Sequence, residues 1–223
     1  MWWKANKWKV IAPVLILAVL AAAFFMGGRT PKHAETAADA SAPAATASPE
    51  TMEIDPETGK DKYQTDPVPE GMPQPVEPEN VEITDEEHTC TISISCATIL
   101  DNLEFCDPEK RELVPADGWI LQPTEVIFYE GESVFHVLKR TCKQNGIHME
   151  FENTPIYNSA YIEGINNLYE FDVGEVSGWM YSVNGWYPNY GCSRYAVKDG
   201  DIIEWRYTCD LGYDVGGGYS VGG

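Results

Sequence analysis

Five large aromatic side chains, Trp179, Tyr181, Trp186, Tyr187 and Tyr190, fall within twelve residues of this sequence. Rings of this size give wide contact area at low entropic cost, so their chemistry is stacking and apolar capture of a ligand. Trp179 and Tyr181 alternate with Val183 on one face and read as core. Trp186, Tyr187 and Tyr190 follow the tight-turn signal Asn184-Gly185, where side chains are usually exposed. Either these three fold back over a sheet edge and cap the core, or they form a ligand platform to which Asn184 and Tyr161 add polar groups. Acid–base and metal chemistry find less support. His33 and His88 flank a low-complexity stretch, His136 shares a polar helix face with Arg140 and Lys143, and His148 alternates with Glu150 and Glu152. All four read as solvated, with neither a metal cluster nor a histidine-based dyad. Gly218, Ser220 and Gly222 spell G-x-S-x-G, but a nucleophile elbow needs a strand before it, a helix after it and a later histidine, and this glycine-rich stretch offers none. The acidic turns 199–201 and 210–214 lack the twelve-residue EF-hand loop, and turn chemistry accounts for them. The reading is therefore a binding protein, with no enzyme activity and no metal site.

The elements that must position the rings are short. Residues 91–96 and 202–209 alternate apolar and polar, with Ile92, Ile94 and Cys96 on one face of the first and Ile203, Trp205, Tyr207 and Cys209 on one face of the second. Further strands are expected over 125–130, 147–152, 160–162 and 178–183, with a short piece at 195–197. Within 133–145 the residues Val134, Leu138, Thr141 and Cys142 recur at three and four residue steps; Ser133 suits the N-cap and Gly146 the position after the C-cap, which predicts a helix of about three turns. Strands, one helix, then more strands make the class α+β, a mixed sheet with one covering helix.

Composition divides the 223 residues into parts. Of the formal net charge of −20, residues 30–89 hold fifteen acidic against three basic groups and the chain from Cys90 onward twenty against eight. Such a surface repels phosphate backbones and disfavours nucleic-acid partners. Residues 10–26 are uncharged and mostly apolar, roughly 26 Å long as a helix, and follow Lys4, Lys7 and Lys9. This predicts a transmembrane anchor over 1–29 with a cytoplasmic N-terminus, single-pass in the cell membrane and carrying an extracellular C-terminal domain; a cleaved signal peptide is the alternative. Residues 30–87 are rich in Ala, Pro, Ser, Thr and acids and read as a disordered stalk, because they carry too little apolar surface to offset chain entropy. Proteases are expected to cut there first and to leave a stable fragment from near His88. The foldable part is 88–214, followed by a Gly-rich tail over 215–223. All six cysteines lie from Cys90 onward and none forms a CxxC pair, so behind an export signal they read as disulfides with fifteen possible connectivities.

The stretch SGWMYSVNGWYPNYGCSRYAVKDGDIIEWRYTCDLG (177–212), with YEGESVFHVLKRTC (129–142) and YIEGINNLYEF (161–171), resembles the transcobalamin C-terminal-like family, also known as the DUF4430 domain. The resemblance covers nearly all of the foldable part and none of the anchor or stalk. It implies a β-grasp-like ligand-binding fold, found in bacterial surface proteins and in animal cobalamin carriers, where the vitamin lies between this domain and a larger helical domain that this sequence lacks. Cobalamin or another corrinoid is thus the small ligand the resemblance suggests, and a cell-surface protein or cell-wall polymer is the alternative partner. A β-grasp arrangement also lays the first and last strands side by side and parallel, which leads us to expect a Cys96–Cys209 disulfide, with Cys90, Cys106, Cys142 and Cys192 left unassigned.

Overall fold

The structure, a computed structural model, describes residues 53–218. The expected anchor, the first part of the expected stalk and Ser220 of the G-x-S-x-G match lie outside the described residues, among which no helix is long and apolar enough to cross a membrane.

Among the described residues, seven strands and one α-helix follow in the order β1 (Glu87–Ser95), β2 (Trp119–Tyr129), α1 (Val134–Asn145), β3 (Met149–Thr154), β4 (Ser159–Ile165), β5 (Leu168–Tyr169), β6 (Gly178–Val183) and β7 (Ile202–Thr208). The main sheet has the order β2-β1-β7-β6. Its central pair is the first and last strand, parallel, with Ile92 beside Ile203 and Ile94 beside Trp205. Both faces of that pair are covered, so Ile92, Ile94, Ile203 and Tyr207 are buried, together with Ser93. The edge strand β2 accommodates Pro123 because the β1 register slips there, Ile92 facing Thr124 and Ile94 facing Leu121, so the missing N–H breaks no ladder bond. A separate small antiparallel sheet has the order β3-β4-β5 and contributes Ile162 and Ile165 to the main core.

Helix α1 begins and ends where its sequence signals lie. Gly146 takes φ 66° and its N–H reaches the Cys142 carbonyl, while Ser133 caps the first turn in a capping box. The return partner of that box is His136 rather than the usual acid: the Ser133 N–H donates to His136 Nδ1 at 3.1 Å. This corrects the solvated reading of His136, whose imidazole is half-buried and held below its usual pKa by burial. Because the folded state favours the neutral ring, His136 supports stability above the ordinary imidazole pKa of about 6.5, and this support is lost as pH falls below it. Urea melts at pH 7.5 and 5.5 are expected to show a smaller acid-induced loss for His136→Gln than for the wild type; equal losses would remove His136 as the cause.

Val134, Val137, Leu138 and Cys142 of α1 join Phe128, Ile162, Ile165, Tyr181, Val183, Ile203 and Trp205 in one core. A second, smaller core sits beyond the C-terminal ends of β1 and β7 and contains Cys96, Ile99, Cys106, Leu168, Val173 and Tyr207, with Cys209 packed against it. All six cysteines stand as free thiols in this structure, among them Cys96 and Cys209, the pair expected to bond, which lie in and against this one small core. Burial pushes the thiols of Cys90, Cys96, Cys142 and Cys192 up to about 12, so they are un-ionised and poor nucleophiles at neutral pH. The piece expected as a strand at 195–197 is reduced to a single bridge between Ala196 and Ser133.

The stalk reading needs correction for residues 53–86. Asp61 is 5% and Arg194 3% exposed, and Arg194 Nη2 donates to Asp61 Oδ2 at 2.7 Å. Arg194 also donates to Thr65 Oγ1 at 2.7 Å and stacks over the Tyr63 ring at 4.8 Å. Further along, Val68 packs on the main core, and the Val76 N–H donates to the Arg194 carbonyl at 2.8 Å. This segment cannot build a core of its own, as its composition indicates, but it can dock on one built by residues 87–218. The resulting strap covers one end of the domain.

Candidate functional site

The turn predicted at Asn184-Gly185 forms, with φ 53° and 79° and reciprocal Val183–Trp186 backbone bonds of 2.8 and 3.0 Å. Asn184 is committed to that turn: its Nδ2 donates to Asp201 Oδ1 at 2.8 Å and its Oδ1 accepts the Ile202 N–H at 2.9 Å. Beyond the turn the chain folds back. Tyr190 is 6% exposed, stacks on Tyr195 at 6.2 Å, and meets the edge of Trp186 at 6.0 Å. Its hydroxyl donates to the Pro73 carbonyl of the strap at 2.8 Å, and Asn189 Nδ2 reaches the Asp66 carbonyl at 3.0 Å. Tyr187 is half-buried and its hydroxyl donates to the Val215 carbonyl at 2.7 Å. Tyr181 lies beneath, its hydroxyl donating to the Tyr190 carbonyl, and burial drives its pKa far up. Tyr161 stands apart on β4, half-exposed, with its hydroxyl donating to Glu170. Of the five residues expected to bind ligand, the structure brings Trp186 and Tyr190 together beside Tyr195 and under the strap, sets Tyr187 apart from them beneath the C-terminal segment, and leaves Asn184 and Tyr161 outside both.

The acidic turns hold the chain's own donors. Asp199 accepts the Thr89 N–H, Asp201 accepts the Lys198 N–H, and Asp214 accepts the Cys209 N–H. Among the described residues no group of three or more His, Cys, Asp or Glu is placed to hold a metal. His88 sits half-buried between Phe128 and Glu130, its Nε2 3.2 Å from the Glu130 carboxylate. The exposed His148 lies 6.1 Å from the Tyr169 ring.

A second surface, at the opposite end of the main sheet, was not anticipated. Because β1 and β7 run parallel and β2 and β6 oppose them, the β1–β2 loop, the β5–β6 loop and the segment after β7 emerge at the same end. They are tied together: the Asp107 N–H donates to the Asp172 carbonyl at 2.8 Å and the Leu211 N–H to the Val176 carbonyl at 3.2 Å. Above the second core these loops expose Phe105 at 65%, Phe171 at 60%, Leu211 at 46% and Tyr213 at 64%. Phe171 and Leu211 hold φ of 69° and 47°, a left-handed conformation unfavourable for bulky side chains. Glu104, Asp107, Glu175 and Asp210 stand exposed on the same loops. The sequence signal was present, apolar residues spaced singly among acids in turn-rich segments, but alternation of that kind is equally the mark of an ordinary loop.

Residues 131–209 match the family described as domain of unknown function DUF4430. Among solved structures, that of haptocorrin in complex with Cbi is similar at 17% identity and a TM-score of 0.42, over 57% of this chain and 26% of that one, so the chain spans about a quarter of its length. A candidate metal binding protein from Ruminococcus gnavus ATCC 29149 is similar at 16% identity and a TM-score of 0.31, over 54% of this chain and 96% of that one. No curated protein matches.

Proposed function

We propose that this chain, whose residues 131–209 belong to the DUF4430 family, is a non-enzymatic binding module held at the outer face of a membrane by the apolar segment 10–26, and that it docks a protein or cell-wall polymer through the loop platform. The carrying observation is the exposure of Phe171 and Leu211, large apolar residues kept in a backbone conformation that Gly or Asn would occupy at lower cost. Strain at an exposed position contributes nothing to the core, so a contact outside the domain accounts for it better than folding does. Export supports a role for the thiols too: Cys96, Cys106 and Cys209, in or against one core cluster, are the set from which a disulfide would form in an oxidising space.

The small-ligand form of this reading, cobalamin or another corrinoid on Trp186, Tyr187 and Tyr190, is supported by the sequence resemblance. Against it stands the engagement of Tyr190 by Pro73 and of Tyr187 by Val215, which leaves these hydroxyls occupied from within the chain. Two measurements separate the forms. Washed cell envelopes and purified sacculi are expected to retain the wild-type protein and to lose at least about tenfold of that binding when Phe105→Ala, Phe171→Asn and Leu211→Gly are combined. In thermal melts Phe171→Asn alone is expected to leave stability unchanged or raise it by up to about 1 kcal/mol, since strain is relieved and little burial is lost. Equal retention of wild type and triple variant would remove the platform as the docking surface, and saturable binding of cyanocobalamin in calorimetric titration would restore the small-ligand form.

A further inference from the structure

The strap carries a second inference, independent of the loop platform. Residues 61–76 contain Pro67, Pro69, Pro73 and Pro75, and a turn at Pro69–Met72 joins two stretches without regular structure. Proline has no N–H to donate, so a proline-rich segment enters no ladder and offers mainly its carbonyl oxygens. The domain meets it with side-chain donors aimed at those oxygens: Tyr190 Oη to Pro73, Asn189 Nδ2 to Asp66, and Arg194 Nε to Val76 at 3.4 Å. Rings lie alongside, Trp186 and Tyr190 forming part of the core on which Val68 packs. Aromatic rings with hydroxyl and amide donors are the means by which proline-rich peptides are recognised between molecules.

The other half of the contact reads charge and sequence. Asp61 folds into its own turn, Oδ1 accepting the Tyr63 and Thr65 N–H groups at 2.8 Å each, which frees Oδ2 for Arg194. Arg194 therefore engages a carboxylate, a threonine hydroxyl four residues on and a backbone carbonyl at the far end of the segment, all from a position 3% exposed. A guanidinium buried at that depth needs a carboxylate partner, and here the partner lies outside the DUF4430 match.

We propose that the face formed by Trp186, Asn189, Tyr190 and Arg194 is a recognition site for an acidic, proline-rich peptide of the form D-x-x-x-T followed by prolines, that residues 61–76 are its resident occupant, and that the same segment of a second copy of this chain is the occupant in trans. A tether favours the resident occupant, because the linked segment is present at an effective concentration on the order of millimolar. Copies anchored side by side in a membrane bring the competing segment to a similar concentration.

The test uses the full chain in detergent with residues 61–76 replaced by Gly/Ser of equal length, and a fluorescein-labelled peptide of residues 58–78 as probe. Fluorescence anisotropy is expected to show saturable binding to this chain and at least about hundredfold weaker binding to the wild type, whose own strap competes. Binding is expected to fall at least about tenfold when the peptide carries Asp61→Asn with Thr65→Val, or when the protein carries Tyr190→Phe. A folded Gly/Ser chain that ignores the peptide up to about 1 mM, a range above any useful affinity here, overturns the proposal. So does equal binding by the wild type, or indifference to the peptide substitutions. Should the Gly/Ser chain fail to fold, Asp61→Asn with Thr65→Val in the otherwise intact chain releases the strap by its own side-chain losses. Release is then read by trypsin cleavage after Lys62, and the same peptide decides the outcome.

Discussion

Replacing Trp205 by alanine is expected to destabilise the domain by about 3–5 kcal/mol, measured by urea denaturation at pH 7.5. Trp205 is 2% exposed on the last and central strand, beside Ile94 on β1 and Tyr181 on β6, with its ring tilted 5.5 Å from that of Tyr181. Removing it opens a cavity where two sheet neighbours and α1 meet, and close packing lets such a site collapse only partly. Its indole N–H is buried without an acceptor among the described residues. Trp205→Phe therefore loses ring area without losing a hydrogen bond, and the expected cost is below about 2 kcal/mol. A loss on Trp205→Phe as large as on Trp205→Ala would mean that the N–H is satisfied by something the packing argument omits. Trp186 makes the informative contrast. Read as exposed from its place after the turn, it could be removed at little cost; half-buried against Tyr190 and Tyr195, it is expected to cost about 2 kcal/mol on truncation.

The second large effect is expected at Arg194. Arg194→Met keeps much of the side-chain volume but removes the donors to Asp61, Thr65 and the Val76 carbonyl, and with them the cation over Tyr63. Breaking a buried pair by deleting one partner costs about 3–5 kcal/mol when the other charge must stay buried. Asp61 need not stay, because it belongs to a segment that can leave the surface, so part of that cost appears as undocking instead. Trypsin cleavage at Lys60 and Lys62 is expected to accelerate by more than about tenfold while circular dichroism of the remaining domain stays native. Unchanged proteolysis, or global unfolding in place of local release, would show that the strap is not held in this way. Asp61 adds a direction with pH. Burial by itself raises its carboxyl pKa, but the Arg194 hydrogen bond and the Thr65 and Tyr63 N–H groups outweigh this and the net shift is downward. Its contribution is thus present above the ordinary carboxylate range and is lost as pH falls through the lowered value. Release of the strap by acid therefore belongs below about pH 4, well under the range in which His136 acts.

These expectations divide by where their evidence lies. Alternation in 91–96 and 202–209 and the three and four residue steps from Val134 to Cys142 depend only on which side chains must leave water, and an element's period follows from backbone geometry alone. They placed β1, β7, β6 and α1 within a few residues, and the resemblance placed β1 beside β7 in parallel. Asn184 and Gly185 likewise announced their turn, because positive φ is a local requirement. What local chemistry could not determine was whether a ring after that turn faces solvent or folds back. The answer depended on Pro73 and Val215, more than a hundred and about thirty residues away in the chain from Tyr190 and Tyr187. The strap shows the same division. Its composition carries too little apolar surface for a core, yet it is held in order by Arg194, on an element more than a hundred residues later, and no property of residues 53–86 taken alone reveals a partner at that distance. The exposed platform of Phe105, Phe171 and Leu211 was equally out of reach, since it exists only because a parallel central pair brings three separate loops to one end of the sheet. Local periodicity and turn chemistry are written in adjacent residues; burial, strap docking and the gathering of loops are properties of the closed sheet, and only the tertiary structure decided them.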